Sequence, residues 1–271
     1  RMSSVNEFLI LLLFCCLMPL VLAAGNQGEC PASFECGYLG KISFPFTKTQ
    51  RQDCGLLPIS NCDDPLNPKM IQLQKNGVWF QLVRVAQLFS TPTTHLTTFQ
   101  FRDKNLSDLL QNESCETFRN NYTLPHSSRF AAFHIEYITT LFRCNRSLHV
   151  SPPTNMYNYT RCPDYDLYYK HIITDDDASL SSFRACTKVQ LPIKDVPEDK
   201  NPFTFATADI FTKVELTDEC AACHYLRGGQ CQLDSREIFF CATANSIGMP
   251  SSAILNSSKN SHKKSVLSNV R

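Results

Sequence analysis

The cysteines constrain the fold of this chain more than any other feature. The 271 residues include 14 cysteines, and four of them fall between Cys30 and Cys62. Gly37, Pro45 and Gly55 are interleaved with these four cysteines. Because glycine and proline interrupt helices, and because the thiols need partners across space, a long helix is excluded here. This stretch predicts a disulfide-stapled module of loops and strands.

The N-terminal residues predict export. Arg1 precedes an apolar run of 15 residues from Phe8 to Leu22, which ends at the small residue Ala23. A run of this length is shorter than the roughly 20 residues that span a bilayer. It is typical of a cleaved secretory signal peptide, here residues 1–23.

Removal of that segment takes away Cys15 and Cys16 and leaves 12 cysteines. An even number in an oxidising compartment predicts six disulfides, whose pairing cannot be deduced from the sequence. The cysteines expected to form them are Cys30, Cys36, Cys54, Cys62, Cys115, Cys144, Cys162, Cys186, Cys220, Cys223, Cys231 and Cys241.

Six Asn-x-Ser/Thr motifs agree with secretion and predict a glycoprotein with a wet surface around residues 105–158. The predicted acceptors are Asn105, Asn112, Asn121, Asn145, Asn158 and Asn256.

Hydrophobic patterning predicts mostly strands. Asn76-Gly77 separates two runs of β-prone residues, which is a strong hairpin signal. Further strands are expected at 95–101 and at 130–142, where Phe133, Ile135 and Tyr137 fall on one face. The best helix candidate, 106–117, is short. The predicted fold class is therefore mainly β, with two small disulfide-rich β modules and few short helices.

Composition divides the chain further. The turn Ser151-Pro152-Pro153-Thr154 predicts a boundary between a first module at 24–150 and a second at 151–245. Residues 246–271 are rich in Ser, Asn and Lys and predict a disordered tail. The net charge of +1 argues against a nucleic-acid partner.

The order of cysteines and apolar runs resembles the extracellular region of plant wall-associated receptor kinases. Cys30, Cys36-Gly37, Ile42 to Phe46, Cys54-Gly55, Pro58 and Cys62 resemble the galacturonan-binding N-terminal domain of that family. Thr140 to Cys144 and Cys186 with Val189 to Ile193 continue the resemblance. Cys220 to Cys223, Gly228 to Cys231 and Phe240-Cys241 resemble its C-terminal cysteine-rich domain, as found also in leaf-rust-resistance-type receptor-like kinases.

The resemblance implies an ectodomain that binds pectic polysaccharide, in the cell wall or at the outer face of the plasma membrane, with a role in plant defence. In the family a transmembrane helix and a serine/threonine kinase follow. This chain shows neither an apolar span after residue 23 nor kinase motifs, so it is expected to be non-catalytic and without a cofactor. Contact with a membrane would then require a segment that this chain lacks.

A polyanionic sugar chain calls for cations beside aromatic rings. Lys41, Lys48 and Arg51 bracket Phe44 and Phe46 in the first module, and these five residues form the predicted ligand site. The alternative is a solvated strand edge with both phenylalanines in the core. A second possible sugar platform is a tyrosine cluster: Tyr157, Tyr159, Tyr165, Tyr168 and Tyr169.

Other chemistries are weaker. Cys220-x-x-Cys223 is compatible with a redox pair, or with zinc together with His224 and Cys231, but structural disulfides are favoured, so no metal site is predicted. Asp175 to Asp177 lack calcium-loop spacing, and nothing places Asp164 and Asp166 across a hydrolytic cleft. The functional alternative is an ectodomain or soluble decoy that binds a protein or peptide in signalling or defence.

Overall fold

The structure is a computed structural model that describes residues 30–74, 76–89, 95–124, 129–170, 178–233 and 238–243. Ala32–Arg271 form one compact unit, to which every helix and strand below belongs. Arg1–Pro31 form a second unit, of which Cys30 and Pro31 are described. The predicted signal peptide, the predicted tail and Asn256 lie outside the described residues.

The larger sheet has seven strands. Their order across the sheet is β3-β4-β5-β6-β7-β13-β8, and all neighbours are antiparallel except β3 and β4. Its inner face buries the main core, which includes Ile71, Leu82, Phe99 and Ile210. The strands are β3 (Phe46–Lys48), β4 (Leu57–Ser60), β5 (Met70–Gln72), β6 (Trp79–Phe89), β7 (His95–Arg102), β8 (Ala131–Ile135) and β13 (Asp209–Leu216).

The smaller sheet has four strands in the order β10-β11-β9-β12, all antiparallel. It buries a second core that includes Phe118, Leu141, Leu167 and Val189. The strands are β9 (Ile138–Asn145), β10 (Tyr157–Tyr159), β11 (Tyr165–Tyr169) and β12 (Thr187–Pro192).

Both sheets combine strands from the two sides of residue 150. In the larger sheet β13 lies between β7 and β8, and in the smaller sheet β9 pairs with β11 and β12. The sheets therefore do not follow the predicted division at that residue. The physical reason is that backbone N–H and C=O groups can be satisfied by strands that are far apart in the chain. A proline-rich turn between such strands does not indicate which strands pair.

Two hairpins and a few short helices complete the described part of the chain. The hairpins join β1 (Ser33–Glu35) to β2 (Lys41–Ser43) and β14 (Gln230–Leu233) to β15 (Phe239–Ala242). Helix α1 spans Lys104–Gln111, with the Asp103 side chain as its N-cap; α2 (Pro202–Phe205) and α3 (Asp218–Ala221) are single turns. Short 3-10 segments and one π-helical turn, Ala222–Leu226, accompany them. The predicted mainly β class with few short helices is confirmed. Among the described residues no helix combines the length and the apolarity that crossing a bilayer requires.

The cysteines of the described residues form disulfides. Every one of the 12 cysteines in the described residues is disulfide-bonded, as the even count predicted. Within Ala32–Arg271 the structure shows the pairs Cys36–Cys62, Cys115–Cys162, Cys144–Cys186, Cys220–Cys231 and Cys223–Cys241.

The predicted hairpin at Asn76-Gly77 is present, but its turn differs from the usual one. The hairpin around Asn76-Gly77 is confirmed, but pairing ends at Gln72 and Trp79, so its loop is longer than two residues. A type I′ turn, the usual one for Asn-Gly hairpins, needs positive φ at both central residues. Asn76 has a φ of 60°, but Gly77 is not among the described glycines with positive φ, so these two residues do not form such a turn. Because Gln74 accepts a bond from the Gly77 N–H, the chain turns one residue earlier.

The predicted strand at 130–142 is in fact two strands in different sheets, β8 and β9. Phe133 and Ile135 pack against the main core, but Tyr137 lies in the connection and is 56% exposed. The predicted helix at 106–117 begins two residues earlier and ends at Gln111, and a separate 3-10 turn covers Cys115–Phe118.

Two largely buried tyrosines are expected to lower the free energy of unfolding at alkaline pH. Burial, and next the charge of Asp103, raise the pKa of Tyr122; burial, and next the charge of Asp199, raise the pKa of Tyr169. The unfolded chain ionises these phenols near pH 10 while the folded chain holds their protons, so stability is unchanged below that pH and falls above it. Because the unfolded phenol is half ionised near pH 10, we expect each tyrosine to lower the free energy of unfolding by about 1.4 kcal/mol between about pH 9 and about pH 11. Urea unfolding at about pH 9 and about pH 11 measures it, and Tyr122→Phe should flatten the slope. Equal slopes for both proteins would contradict the assignment.

Candidate functional site: an aromatic and basic sheet face

The outer face of the larger sheet carries an aromatic side chain where a polar one is expected. Along β13, Ile210, Thr212 and Val214 are buried, so the alternate positions Phe211 and Lys213 point to the opposite, outer side. Phe211 lies opposite Gln100 on β7, and Gln100 lies opposite Arg84 on β6. The three side chains therefore form one row across three strands.

Aromatic and cationic groups meet in this row. The guanidinium carbon of Arg84 lies 5.3 Å from the ring centroid of Phe211. The ring of Tyr137 approaches Phe211 edge-on, with 5.6 Å between centroids and an interplanar angle of 84°. We call Arg84, Gln100, Phe211, Lys213 and Tyr137 the aromatic-basic face.

The charges around this face are partly neutralised. Arg102 holds Asp209 through two hydrogen bonds of 2.6 and 2.8 Å. Glu215 lies 3.4 Å from the His134 ring nitrogen. Neither Arg84 nor Lys213 forms an ion pair with a described residue, so two positive charges remain available to a ligand.

Such a surface suits an acidic sugar chain. A guanidinium binds a carboxylate with paired hydrogen bonds, and the flat C–H face of a sugar packs on an aromatic ring. The amide of Gln100 supplies both a donor and an acceptor for hydroxyl groups.

The predicted cations of the first module do not form a comparable set. Lys48 donates a 2.6 Å hydrogen bond to Asp63, and Arg51 lies 3.8 Å from Asp53. Lys41 is exposed, opposite Glu35 on the neighbouring strand, and lines a groove of about 290 Å³. Lys41 thus remains a possible ligand contact, whereas the other two are engaged by acids.

The structure corrects the predicted role of Phe44 and Phe46. Phe46 is 2% exposed in the main core, with its ring 5.9 Å from that of Phe99. Phe44 is 8% exposed and stacks on His224, with 4.0 Å between ring centroids. Neither ring is open to a sugar, because burial of these large apolar groups stabilises the fold more than exposure would. The core alternative is the one observed.

The tyrosine cluster is likewise mostly interior. Tyr159, Tyr168 and Tyr169 are at most 7% exposed, while Tyr157 and Tyr165 are half-buried. These five tyrosines therefore do not form an exposed platform on which a sugar could pack.

The structure also locates most of the residues considered for redox, metal and hydrolytic sites. Cys220 and Cys223 pair with Cys231 and Cys241 rather than with each other, so neither a redox pair nor zinc thiolates remain. Asp166 accepts a hydrogen bond from Arg146 at 3.1 Å. Asp175 to Asp177 lie outside the described residues.

Sequence reasoning missed the aromatic-basic face, although one signal was present. In Asp209–Leu216 the residues alternate strictly, and Phe211 falls among the polar positions rather than the apolar ones. An aromatic residue out of phase in a half-buried strand points to solvent and suggests a contact surface. Arg84, whose guanidinium lies near the Phe211 ring, is more than 120 positions away from Phe211 in the chain. No local sequence pattern connects the two residues.

The chain matches no family model, no curated protein and no solved structure. The resemblance of its cysteine pattern to wall-associated receptor kinases therefore stays a prediction.

Proposed function

We propose that this chain is a secreted, non-catalytic binding module that recognises acidic polysaccharide of the galacturonan type, and that the aromatic-basic face is its binding surface. The observation that carries the proposal is the position of Arg84 over the half-buried ring of Phe211, beside the exposed ring of Tyr137. Cation and ring together offer what a uronate residue needs, a carboxylate partner and a flat apolar surface.

The distribution of sequons supports the same face. Strands β6, β7, β8 and β13 contain no Asn-x-Ser/Thr motif, whereas all six motifs lie elsewhere in the chain. The five sequon asparagines among the described residues are exposed. No residue of the aromatic-basic face is itself a predicted glycan acceptor.

The test is binding of de-esterified oligogalacturonides to the secreted, oxidised chain, measured by calorimetry at low and at physiological salt. Arg84→Ala should weaken binding about tenfold, which is the effect of losing one charge-assisted hydrogen-bonded contact of roughly 1.4 kcal/mol. Phe211→Leu should weaken it similarly, because it keeps the apolar volume but loses the ring. Salt should weaken binding to the unsubstituted chain, since the charges are exposed.

Three further variants serve as controls for the Arg84→Ala measurement. Arg84→Lys keeps the charge but not the planar fork, so it should recover only part of the affinity. Lys104→Ala removes an 88% exposed cation elsewhere and should change nothing. Lys41→Ala tests the first-module groove. Loss of binding with Lys41→Ala but not with Arg84→Ala would overturn the site. Absence of binding by the unsubstituted chain would overturn the polysaccharide function and favour a protein or peptide ligand.

A further inference from the structure

A groove of about 420 Å³ opens on the smaller sheet, away from the residues used above. Arg143 and Asn145 from β9, Tyr165 from β11 and Thr187 from β12 line it, together with Arg119. In the sheet register Asn145 lies opposite Tyr165, and Thr187 lies opposite Arg143. The residues therefore sit on three adjacent strands, and the groove volume falls within the range of sites that hold small ligands.

The walls of the groove are held by interactions of their own. The guanidinium carbon of Arg143 lies 5.6 Å from the ring centroid of Tyr165, and Arg143 also donates a hydrogen bond to the Arg119 carbonyl. The Tyr165 hydroxyl donates to the Cys115 carbonyl. Disulfides join Cys144 to Cys186 and Cys115 to Cys162. The groove is thus formed before any ligand arrives, which lowers the entropic cost of binding.

Asn145 stands in this groove with its amide oriented. It is exposed and begins the motif Asn145-Arg146-Ser147. Its Oδ1 accepts hydrogen bonds from the Ser147 backbone N–H at 3.0 Å and from the Ser147 hydroxyl at 2.9 Å. Its Nδ2 makes no hydrogen bond to a described residue. The amide nitrogen is therefore available for substitution.

We infer that Asn145 carries an N-linked glycan and that the first N-acetylhexosamine units of this glycan lie in the groove, against Arg119, Arg143 and Tyr165. The groove would then be filled by the chain's own modification rather than by an external ligand. This inference is independent of the polysaccharide proposal, because the two concern different surfaces.

The modification itself needs a donor and a transferase from the secretory pathway. The donor is a lipid-linked oligosaccharide pyrophosphate. The bond from Asn145 Nδ2 to C1 of the sugar forms as the bond from C1 to the pyrophosphate oxygen breaks. The lipid pyrophosphate leaves with the electron pair, and Nδ2 loses one proton to a base of the transferase.

The fit of sugar to groove follows from the lining. Arg119 already pairs with Glu116 at 3.2 Å, and Asp164 lines the groove beside the arginines, so an uncharged ligand suits it better than an anion. N-acetylhexosamines are uncharged, and guanidinium N–H groups donate to their acetamide and hydroxyl oxygens. The Thr187 hydroxyl adds a donor and an acceptor. Covering the groove would shield the guanidinium of Arg119, whose side chain is 61% exposed without sugar.

The experiment uses the full chain secreted from a eukaryotic cell. Mass spectrometry of its peptides reports whether Asn145 is occupied, and an arginine-specific dicarbonyl reagent reports the exposure of Arg119. We expect Asn145 to be occupied and Arg119 to react several-fold faster after enzymatic release of the glycans. Ser147→Ala, which abolishes the sequon, should give the fast rate from the start, while Ser147→Thr, which preserves it, should keep the slow rate.

A matched control separates this glycan from the others. Thr160→Ala removes the sequon of Asn158, which does not line the groove, and should leave the Arg119 rate slow. An unmodified Asn145 would overturn the inference. So would an Arg119 rate that is the same in the Ser147→Ala and Ser147→Thr proteins.

Discussion

Replacing Lys69 by methionine is expected to lower the free energy of unfolding by about 3 kcal/mol. Lys69 is 1% exposed, which is rare for a lysine, and no acidic side chain pairs with it among the described residues. Its ammonium group donates instead to the backbone carbonyls of Asn61, at 2.6 Å, and of Asp64. Methionine keeps the apolar stem but leaves both carbonyls without their donor.

The side chain of Lys69 also packs closely against Gly37. Gly37 has a φ of 58°, and a Cβ built on it would lie 2.9 Å from Cε of Lys69. The loop that Lys69 organises begins beside Cys62, which is bonded to Cys36. The ammonium group thus anchors two carbonyls of a loop that is otherwise held by side-chain hydrogen bonds, such as that from Asn61 Nδ2 to the Pro68 carbonyl at 2.8 Å.

Urea unfolding compares Lys69→Met with Lys104→Met, where the same chemical change falls on a side chain that is 88% exposed. The exposed substitution should cost less than about 0.5 kcal/mol. If the two proteins unfold at the same urea concentration, the ammonium of Lys69 is not the organising group that the contacts indicate.

Replacing Gly229 by alanine is expected to cost about 3 kcal/mol, as overpacking of a tight site does. A Cβ at this position would contact the sulfur of Cys241 and would lie 3.1 Å from the sulfur of Cys223 and 2.9 Å from the Ala242 carbonyl oxygen. The added methyl group therefore meets the Cys223–Cys241 disulfide and rigid backbone, neither of which can turn aside. Part of the cost would be failure of this disulfide to form, which leaves two thiols.

Two measurements test the Gly229 prediction: thiol titration of the denatured protein and urea unfolding of the folded one. Gly228 provides the matched control, since nothing lies within 4 Å of a Cβ built there and only its φ of 61° disfavours other residues. Asparagine tolerates that conformation, so Gly228→Asn should cost well under 1 kcal/mol. An oxidised, fully stable Gly229→Ala protein would show that the backbone can move away from the sulfur.

Features set by neighbouring residues could be predicted from the sequence, whereas pairings between distant segments could not. The cysteine count, the hairpin at Asn76 and the strand that became β7 depend on spacing or on neighbouring residues, and the structure confirms each of them. The insertion of β13 between β7 and β8 pairs residues that are about 110 positions apart for β7 and about 80 for β8, and no local pattern connects them.

The candidate site follows the same rule. The aromatic pair Phe44 and Phe46 looked like a sugar platform because cations flank it in sequence, yet its burial is decided by Phe99 and His224, which are distant in the chain. Phe211 was detectable as an aromatic residue at a polar position. Its pairing with Arg84 required the sheet.

The place of β13 also has a consequence for biogenesis. A ribosome releases the chain from its N-terminus, so β7 and β8 emerge before the strand that pairs with both of them. Until Leu216 has been made, each presents an unsatisfied strand edge, and open edges recruit other chains. Folding of this sheet is therefore a late event that closes a long loop, and it is slow for that reason. A product that stops short of Asp209 would leave that edge of β7 unpaired and would be prone to aggregate.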